Sequence, residues 1–222
     1  MSERVLVIAP HPDDETLGCG GTLLRMLESG AVLGWLIVTS ISEEGGFSAH
    51  RVQSRDAEIA KVGDLLGFSE VFNLSLPTRQ LDAVPMAELV EQFSQAFRAF
   101  KPEHVFLPHR SDVHSDHRVV FDAGAACAKW FRFPSVRRLL SYETISETDF
   151  CLDTRAPFQP NCFVDISRYL ERKLEIVAAY ESEMGAFPFP RSVQALRALA
   201  EVRGAAAGFA AAEAFQLLRE RQ

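Results

Sequence analysis

The hydrophobic pattern of the first forty residues predicts a strand, a helix and a second strand. Residues 4–9 read RVLVIA, a nearly unbroken apolar run of the kind found in strands that are buried on both faces of a parallel sheet. A polar turn at residues 11–15 follows, and residues 16–29 then carry leucines at roughly helical spacing before Gly30. Residues 32–39 form the next apolar run.

The same alternation continues along the chain. Further helices are predicted at residues 52–66, 86–100, 118–131 and 167–182, and further strands at residues 71–76, 104–107 and 139–144. Residues 198–219 are rich in alanine, which favours a helix, although a final strand is also open there. Because alternating strands and helices imply right-handed crossovers, we expect α/β architecture: a single Rossmann-like three-layer domain, residues 1–222, with a mainly parallel central sheet.

Composition and charge narrow the class of protein. A chain of 222 residues suits one domain, and 47% hydrophobic with 24% charged residues is typical of a folded globular protein. The net charge is -7 and the basic residues are dispersed, which argues against a nucleic acid partner. No apolar stretch reaches the ~20 residues of a membrane helix and no cleavable signal is evident, so we expect a cytoplasmic protein with no membrane partner.

The four cysteines are spread along the chain without a C-x-x-C pair, which indicates neither a zinc knuckle nor a disulfide framework. We expect them to be reduced, with Cys19 in a packing role. Trp35 and Trp130 lie in apolar segments and are also expected in the core.

A dense polar cluster follows the first predicted strand. His11 and Pro12 are followed directly by three carboxylates, Asp13, Asp14 and Glu15. Acidic residues are common in the first turn of a helix, because they complement the helix dipole and cap free amides. An imidazole beside them in a proline-stiffened turn favours a metal site.

A second polar cluster, PHRSDVHSDH, follows the predicted strand at residues 104–107. His114 and His117 are three residues apart, so a turn or a first helical turn would bring them to one face. Solvated loop histidines are the alternative. Ligands of open parallel sheets bind beyond the carboxyl ends of the strands, where the strand order reverses. If the two strands are neighbours there, two nitrogen donors and one or two carboxylates would converge, as in a catalytic zinc site.

The two motifs, His-Pro-Asp-Asp-Glu at residues 11–15 and His-Ser-Asp-His at residues 114–117, resemble those of the PIG-L or LmbE-like family of zinc-dependent N-deacetylases. Weaker matches, such as Arg55-x-x-Glu58 and the Phe-Val-Asp-Ile stretch at residues 163–166, extend the resemblance over nearly the whole chain. The resemblance implies hydrolysis of an N-acetyl group on an amino sugar or a sugar conjugate. It also suggests a homo-oligomer.

The resemblance further implies roles for individual residues. It implies three zinc ligands, namely His11, Asp14 and His117. Asp13 would then be free to act as general base, His114 would stabilise the oxyanion or protonate the leaving amine, and Asp116 would orient the His114 imidazole. Zinc can lower the pKa of a bound water toward ~7, and the same donors also accept Fe2+ or cobalt.

The candidate substrate contacts are Arg55, Arg79, Asp112 and Arg191. Two of them stand where the chain departs from the family pattern. Arg79 lies in a Pro-Thr-Arg-Gln turn where many relatives have a Pro-Asp-Gly-like turn, and Asp112 stands where some relatives place a tyrosine. Phe189 also replaces a histidine of the family pattern. Substrate preference is therefore expected to differ. The remaining histidines, His50, His104 and His109, match no position of the zinc motifs, so we assign them to structural or surface roles, with His109 favoured among the three for a place at the crevice.

Three other functions stay open at this point. The same metal centre could serve an amidase that acts on another small N-acyl compound or a thiol conjugate. A nucleotide-binding module is suggested by Gly18-x-Gly20-Gly21, but the full G-x-G-x-x-G order is absent and the carboxylates before it would repel a pyrophosphate. A zinc scaffold without catalysis would need neither Asp13 nor His114.

Overall fold

The computed structural model describes residues 2–222, which form a seven-stranded sheet between two layers of helices. The strands are β1 (Arg4–Ala9), β2 (Val32–Ser40), β3 (Glu70–Pro77), β4 (His104–Pro108), β5 (Arg138–Tyr142), β6 (Cys162–Asp165) and β7 (Ala212–Glu220). The helices are α1 (Asp14–Glu28), α2 (Ala49–Leu66), α3 (Met86–Phe100), α4 (Ser115–Cys127), α5 (Leu170–Val177) and α6 (Val193–Ala207). The predicted α/β class with a mainly parallel sheet is confirmed.

The order of the strands places β1 and β4 side by side at the centre of the sheet. The order is β3-β2-β1-β4-β5-β7-β6, and the first five strands in this order are parallel. β7 is antiparallel to both of its neighbours. The chain winds outward from β1 in one direction through β2 and β3, and in the other through β4 and β5. The loops that follow β1 and β4 therefore meet where the strand order reverses.

Strand β1 shows why both faces of the sheet are covered. Leu6 and Ile8 pack with the core on the side of α3 and α4, whereas Val5, Val7 and Ala9 pack with the core on the side of α1 and α2. All five side chains are fully buried. Burial of each larger aliphatic side chain contributes roughly 1.5–3 kcal/mol, so an unbroken apolar run is what this central position requires.

The glycines of α1 allow the helix to approach the sheet closely. A Cβ at Gly18 would collide with the ring of Tyr142, and a Cβ at Gly21 would lie 2.8 Å from Cγ2 of Ile166. Both glycines lie inside α1 and not in a loop before it. Close packing therefore explains the glycine-rich stretch that had suggested a nucleotide-binding module.

Several boundaries differ from the predicted ones. Helix α3 has the predicted limits, but α4 and α5 end earlier than predicted, and β6 was not predicted at all. The alanine-rich segment near the carboxyl terminus divides at Gly208, where α6 ends and the backbone turns toward β7. Both predicted possibilities therefore occur: the segment begins as a helix and ends as a strand.

The expected core positions are partly confirmed. Trp35 and Cys19 are fully buried, and burial raises the pKa of the Cys19 thiol, which suits packing. The prediction for Trp130 was wrong, because α4 ends at Cys127 and the indole lies in the following turn with 57% of its surface exposed. All four cysteines are free. Within residues 2–222, no helix is long and apolar enough to cross a membrane.

Candidate active site

The loops after β1 and β4 bring three metal-binding side chains to one place. His11 follows β1, Asp14 is the first residue of α1, and His117 lies in the first turn of α4. Their ligand atoms all lie within 4.8 Å of one another. Oδ2 of Asp14 is 3.3 Å from Nδ1 of His11 and 3.3 Å from Nε2 of His117. The three residues proposed as ligands thus share one site.

Two buried atoms of this site have no hydrogen-bond partner. They are Oδ1 of Asp14 and Nε2 of His117. Burying an unpaired polar atom is unfavourable, and a divalent cation between these atoms would remove that penalty. Two imidazole nitrogens and one carboxylate are a usual donor set for catalytic zinc, which leaves a coordination position open. The residues present therefore fit such an ion.

Each of the two histidines is held through its other ring nitrogen by a carboxylate. Nδ1 of His117 lies 2.8 Å from Oδ2 of Asp112, and Nε2 of His11 lies 3.1 Å from Oδ2 of Asp116. Such outer carboxylates fix the ring orientation and the tautomer of a metal-binding histidine. We call His11, Asp14, His117, Asp112 and Asp116 the ligand cluster.

This geometry changes two expectations. Asp112 was expected to contact substrate, but it is buried and bonds to His117 and to Oγ1 of Thr148, at 2.7 Å, without lining the cavity described below. Asp116 was expected to orient His114, and its backbone N–H does donate to Nδ1 of that ring, but its carboxylate lies 3.9 Å from this nitrogen and closer to His11. Both aspartates thus act here on the proposed ligands.

The ligand cluster favours positive charge at its centre. Burial alone would lower the pKa of His117, yet Asp14 and Asp112 outweigh it and raise that pKa to about 10. Burial would likewise lower the pKa of His11, but Asp116 and Asp14 raise it to about 9. Burial opposes the charge of Asp14, yet the two histidines hold its pKa well below the usual range. A metal ion that binds here would displace the histidine protons.

The backbone of Asp13 is held in an unusual conformation at the start of α1. Its φ angle is 137°, a region that costs a residue with a side chain about 1–3 kcal/mol. The Asp13 N–H donates to Oε2 of Glu15 at 3.0 Å, and the hydroxyl of Tyr180 donates to the same carboxylate at 2.8 Å. Glu15, which from sequence could have been an ordinary helix cap, therefore fixes this turn.

The carboxylate of Asp13 lies beside the three proposed ligands without belonging to them. It lines a cavity together with His11 and His114, and its Oδ2 accepts a hydrogen bond of 2.6 Å from Nη1 of Arg191. Burial raises the pKa of Asp13 to about 7, against the lowering effect of Arg191. A carboxylate with a pKa near neutrality is suited to take a proton from water.

The tautomer of His114 follows from its position at the start of α4. Its Nδ1 accepts a hydrogen bond from the Asp116 N–H at 3.2 Å, so Nε2 carries the hydrogen when the ring is neutral. Burial and the charges of His11 and His117 lower the pKa of His114 to about 4. His114 therefore has a neutral ring with an Nε2–H donor.

The cavity beside these residues has a volume of about 240 Å³, and three arginines hold part of its wall. Arg51, Arg55 and Arg191 all pair with the carboxylate of Glu183. Arg191 also lies 3.2 Å from Glu147. We call these five residues the arginine cluster.

Of the candidate substrate contacts, Arg55 and Arg191 are thus held by protein carboxylates at the cavity wall, and Arg79 lines the cavity as well. Sequence reasoning missed Arg51, Glu147 and Glu183. Glu147 follows the carboxyl end of β5, so the rule on strand ends could have found it. Glu183 belongs to the Tyr-Glu-Ser-Glu stretch at residues 180–183, which matches the family pattern only weakly and assigned it no role.

His109 has a structural position, as assigned to the histidines outside the two motifs, and it does not line the cavity. The ring is buried, its Nε2 lies 3.3 Å from the Ala156 carbonyl oxygen, and its centroid is 5.3 Å from that of Phe158. His109 packs against the loop before β6 and is absent from the cavity wall.

Comparison with known proteins places this geometry in context. A family model described as PIG-L, GlcNAc-PI de-N-acetylase, matches residues 6–128, more than half of the chain and both histidine motifs. The diacetylchitobiose deacetylase of Thermococcus kodakarensis is 29% identical over 203 residues, which cover 86% of this chain and 72% of that protein.

Two further relatives cover most of both sequences. The 1D-myo-inositol 2-acetamido-2-deoxy-alpha-D-glucopyranoside deacetylase of Saccharomonospora viridis is 26% identical, with 83% of this chain and 86% of that protein covered. The crystal structure of a conserved protein from Thermus thermophilus superposes with a TM-score of 0.80 at 31% identity, covering 100% of this chain and 97% of that one.

Proposed function

Since this chain belongs to the PIG-L family, we propose that it is a zinc-dependent hydrolase that removes an N-acetyl group from an amino sugar or a sugar conjugate. The observation that carries the proposal is the convergence of His11, Asp14 and His117 on one point, with the carboxylate of Asp13 beside them and outside the set. A structural metal site would not need that additional carboxylate. We treat residues 1–222 as one such catalytic domain.

His11, Asp14 and His117 would hold the metal, with Asp112 and Asp116 fixing the two rings. The ion would supply a Lewis acid that polarises the acetyl carbonyl and acidifies a water molecule. Zn2+ is our first choice, and Fe2+ fits the same donors.

Asp13 is the general base of the proposed reaction. Its carboxylate takes a proton from the attacking water as the new C–O bond forms at the acetyl carbon. When the C–N bond breaks, Asp13 returns that proton to the leaving nitrogen, so that acetate and a free amine are released. Arg191 keeps the carboxylate pointed into the cavity through its 2.6 Å contact.

His114 stabilises the oxyanion in this scheme. In the fixed tautomer, the Nε2–H group of His114 is available to donate a hydrogen bond to the oxyanion. A preorganised donor of this kind can contribute 10²–10³-fold to kcat, about 3–4 kcal/mol. Sequence reasoning left open whether His114 stabilises the oxyanion or protonates the amine. The low pKa of the ring supports the first role, because a neutral imidazole donates a hydrogen bond without transferring a proton.

The substrate class rests on the relatives and on the character of the cavity. The named relatives act on N-acetylated sugars, according to their names. The cavity wall is rich in charged and polar side chains, including Thr39, Ser40 and Thr78, which suit a hydroxyl-rich ligand. Assembly into a homo-oligomer stays a prediction.

Acetate release from a panel of N-acetylated sugars tests the function directly. The panel contains N-acetylglucosamine, diacetylchitobiose and short N-acyl amides that lack a sugar, and each is assayed before and after chelation. We expect acetate from the sugars, loss of activity on chelation and recovery on adding Zn2+ or Fe2+. Full activity in protein that measurably lacks metal would refute the metal-dependent mechanism. Turnover of the sugar-free amides alone would favour the alternative amidase.

A further inference from the structure

Among the arginines of the cavity wall, Arg79 differs in having no acidic partner. Arg51, Arg55 and Arg191 each pair with Glu183. Arg79 lines the same cavity but forms no ion pair with any carboxylate in the part of the chain that the structure describes. One guanidinium in the cavity is therefore free to bind an anion that the protein does not supply.

The backbone holds Arg79 in place at the edge of the site. It follows β3 with a φ angle of 62°, in the left-handed region that an arginine seldom adopts. Its N–H donates to Oδ2 of Asp116 at 2.7 Å, and the same oxygen contacts His11. The start of the Arg79 side chain is thus tied to the ligand cluster through a single carboxylate.

The guanidinium of Arg79 is also partly oriented. Its Cζ lies 5.5 Å from the centroid of the Phe47 ring, which lines the same cavity. Stacking on an aromatic ring limits the orientation of a guanidinium and leaves its N–H groups available at the edge. The side chain itself is exposed, so a bound ligand can reach it from solvent.

We propose that Arg79 determines specificity by binding an oxyanion, a carboxylate or a phosphate, on the sugar part of the substrate while the acetyl group lies at the ligand cluster. This inference rests on the proposed deacetylase function and deepens it. A guanidinium binds both oxyanions through two parallel N–H···O contacts, which a neutral hydroxyl cannot match. The whole chain has a net charge of -7, so a general attraction for anions is absent and a local cation is needed.

The test compares three matched substrates: N-acetylglucosamine, its 6-phosphate, and N-acetylmuramic acid, which carries a carboxylate. The variants are Arg79→Gln, Arg79→Lys and the control Arg98→Gln. Arg98 lies on α3, pairs with Glu91 and is absent from the cavity wall, so its loss changes the net charge equally. The readouts are kcat and KM for acetate release, and calorimetric binding of glucosamine, glucosamine 6-phosphate and muramic acid.

We expect wild type and Arg98→Gln to favour at least one anionic substrate over the neutral one by about tenfold or more in kcat/KM. Arg79→Gln should lose that preference through KM, Arg79→Lys should restore part of it, and Arg98→Gln should keep the wild-type kcat and KM on every substrate. The preferred anion identifies phosphate or carboxylate as the group recognised.

Other outcomes overturn the inference. Equal kcat/KM for neutral and anionic sugars in wild type, or a preference that survives in Arg79→Gln, removes the role of Arg79 while leaving the deacetylase function standing. If no sugar releases acetate, the deacetylase function fails, and calorimetry still decides on the anion site. Equal binding of glucosamine, glucosamine 6-phosphate and muramic acid would then reject that site.

Discussion

The ligand cluster and the arginine cluster border one cavity but are assembled in different ways. The ligand cluster comes from two short stretches, residues 11–14 and 112–117, that follow the neighbouring strands β1 and β4. The arginine cluster collects side chains from α2, from the loop after β5 and from the segment between α5 and α6. The carboxyl edge of the sheet positions the first cluster, whereas the surrounding helices and loops position the second.

The two clusters also differ in how their polar atoms are satisfied. The ligand cluster leaves buried atoms of Asp14 and His117 without partners, as expected of a site that completes itself with an ion. In the arginine cluster, Nε of Arg55 also lacks a hydrogen-bond partner, but every guanidinium pairs with a carboxylate through a terminal nitrogen. Changes in the first cluster should therefore alter metal binding, and changes in the second should alter stability. Asp13 belongs to neither cluster and touches both.

The largest effect on activity is expected from a change at Asp13. Asp13→Asn should lower kcat about 10²–10⁴-fold, because an amide cannot act as general base, while the metal content stays that of wild type. Acetate release gives kcat and elemental analysis gives the metal content. His117→Ala is the contrasting control, since it should lose the metal itself. A fully active Asp13→Asn enzyme would assign the base elsewhere.

A smaller effect is expected from the outer carboxylate of the ligand cluster. Asp112→Asn removes the charge that holds Nδ1 of His117, and we expect metal affinity to fall about 10–100-fold. Titration against a competing chelator measures this. Asp122→Asn is a matched control, because Asp122 lies on α4 but pairs with the exposed Arg110. Equal affinities for both variants would argue against the role assigned to Asp112.

The smallest effect should come from the arginine cluster and concern stability. Glu183→Gln leaves three arginines short of a shared carboxylate and should reduce the free energy of unfolding by about 1 kcal/mol. Urea denaturation measures this, with the exposed neighbour Glu181→Gln as control. Metal affinity should not change. A loss of metal in Glu183→Gln would mean that the two clusters are not independent.

The elements that the sequence predicted well are those in which buried apolar residues recur at regular spacing. Helix α3 was placed at its observed limits because apolar residues such as Phe93, Phe97 and Phe100 recur on one face. Strand β6 was missed because it has four residues, all only partly buried, and so lacks a clear alternation. The segment after α4 was mistaken for helix, since nothing local to Trp130 shows that the helix has already ended.

For the site too, local sequence patterns predicted some features and missed those that depend on the folded structure. The strand-end rule and the pairing of imidazoles with carboxylates predicted a metal site in the loops after β1 and β4, whereas the choice of His11, Asp14 and His117 as ligands came from the family resemblance. The roles of Asp112 and Asp116 depend on ring orientations, which spacing along the chain does not fix. Glu183 meets its arginine partners only in the folded chain, so the weak family match at residues 180–183 could not show which residues it pairs with.

The position of β7 has a consequence for how the molecule forms. This strand is inserted between β5 and β6 and runs against both, so the backbone edges of these two strands stay unpaired until residues 212–220 arrive. During synthesis the loops after β1 and β4 emerge long before that strand does. The two loops that carry the ligand cluster are therefore made before the sheet can be completed, and β7, the last strand in the chain, fills the gap between β5 and β6.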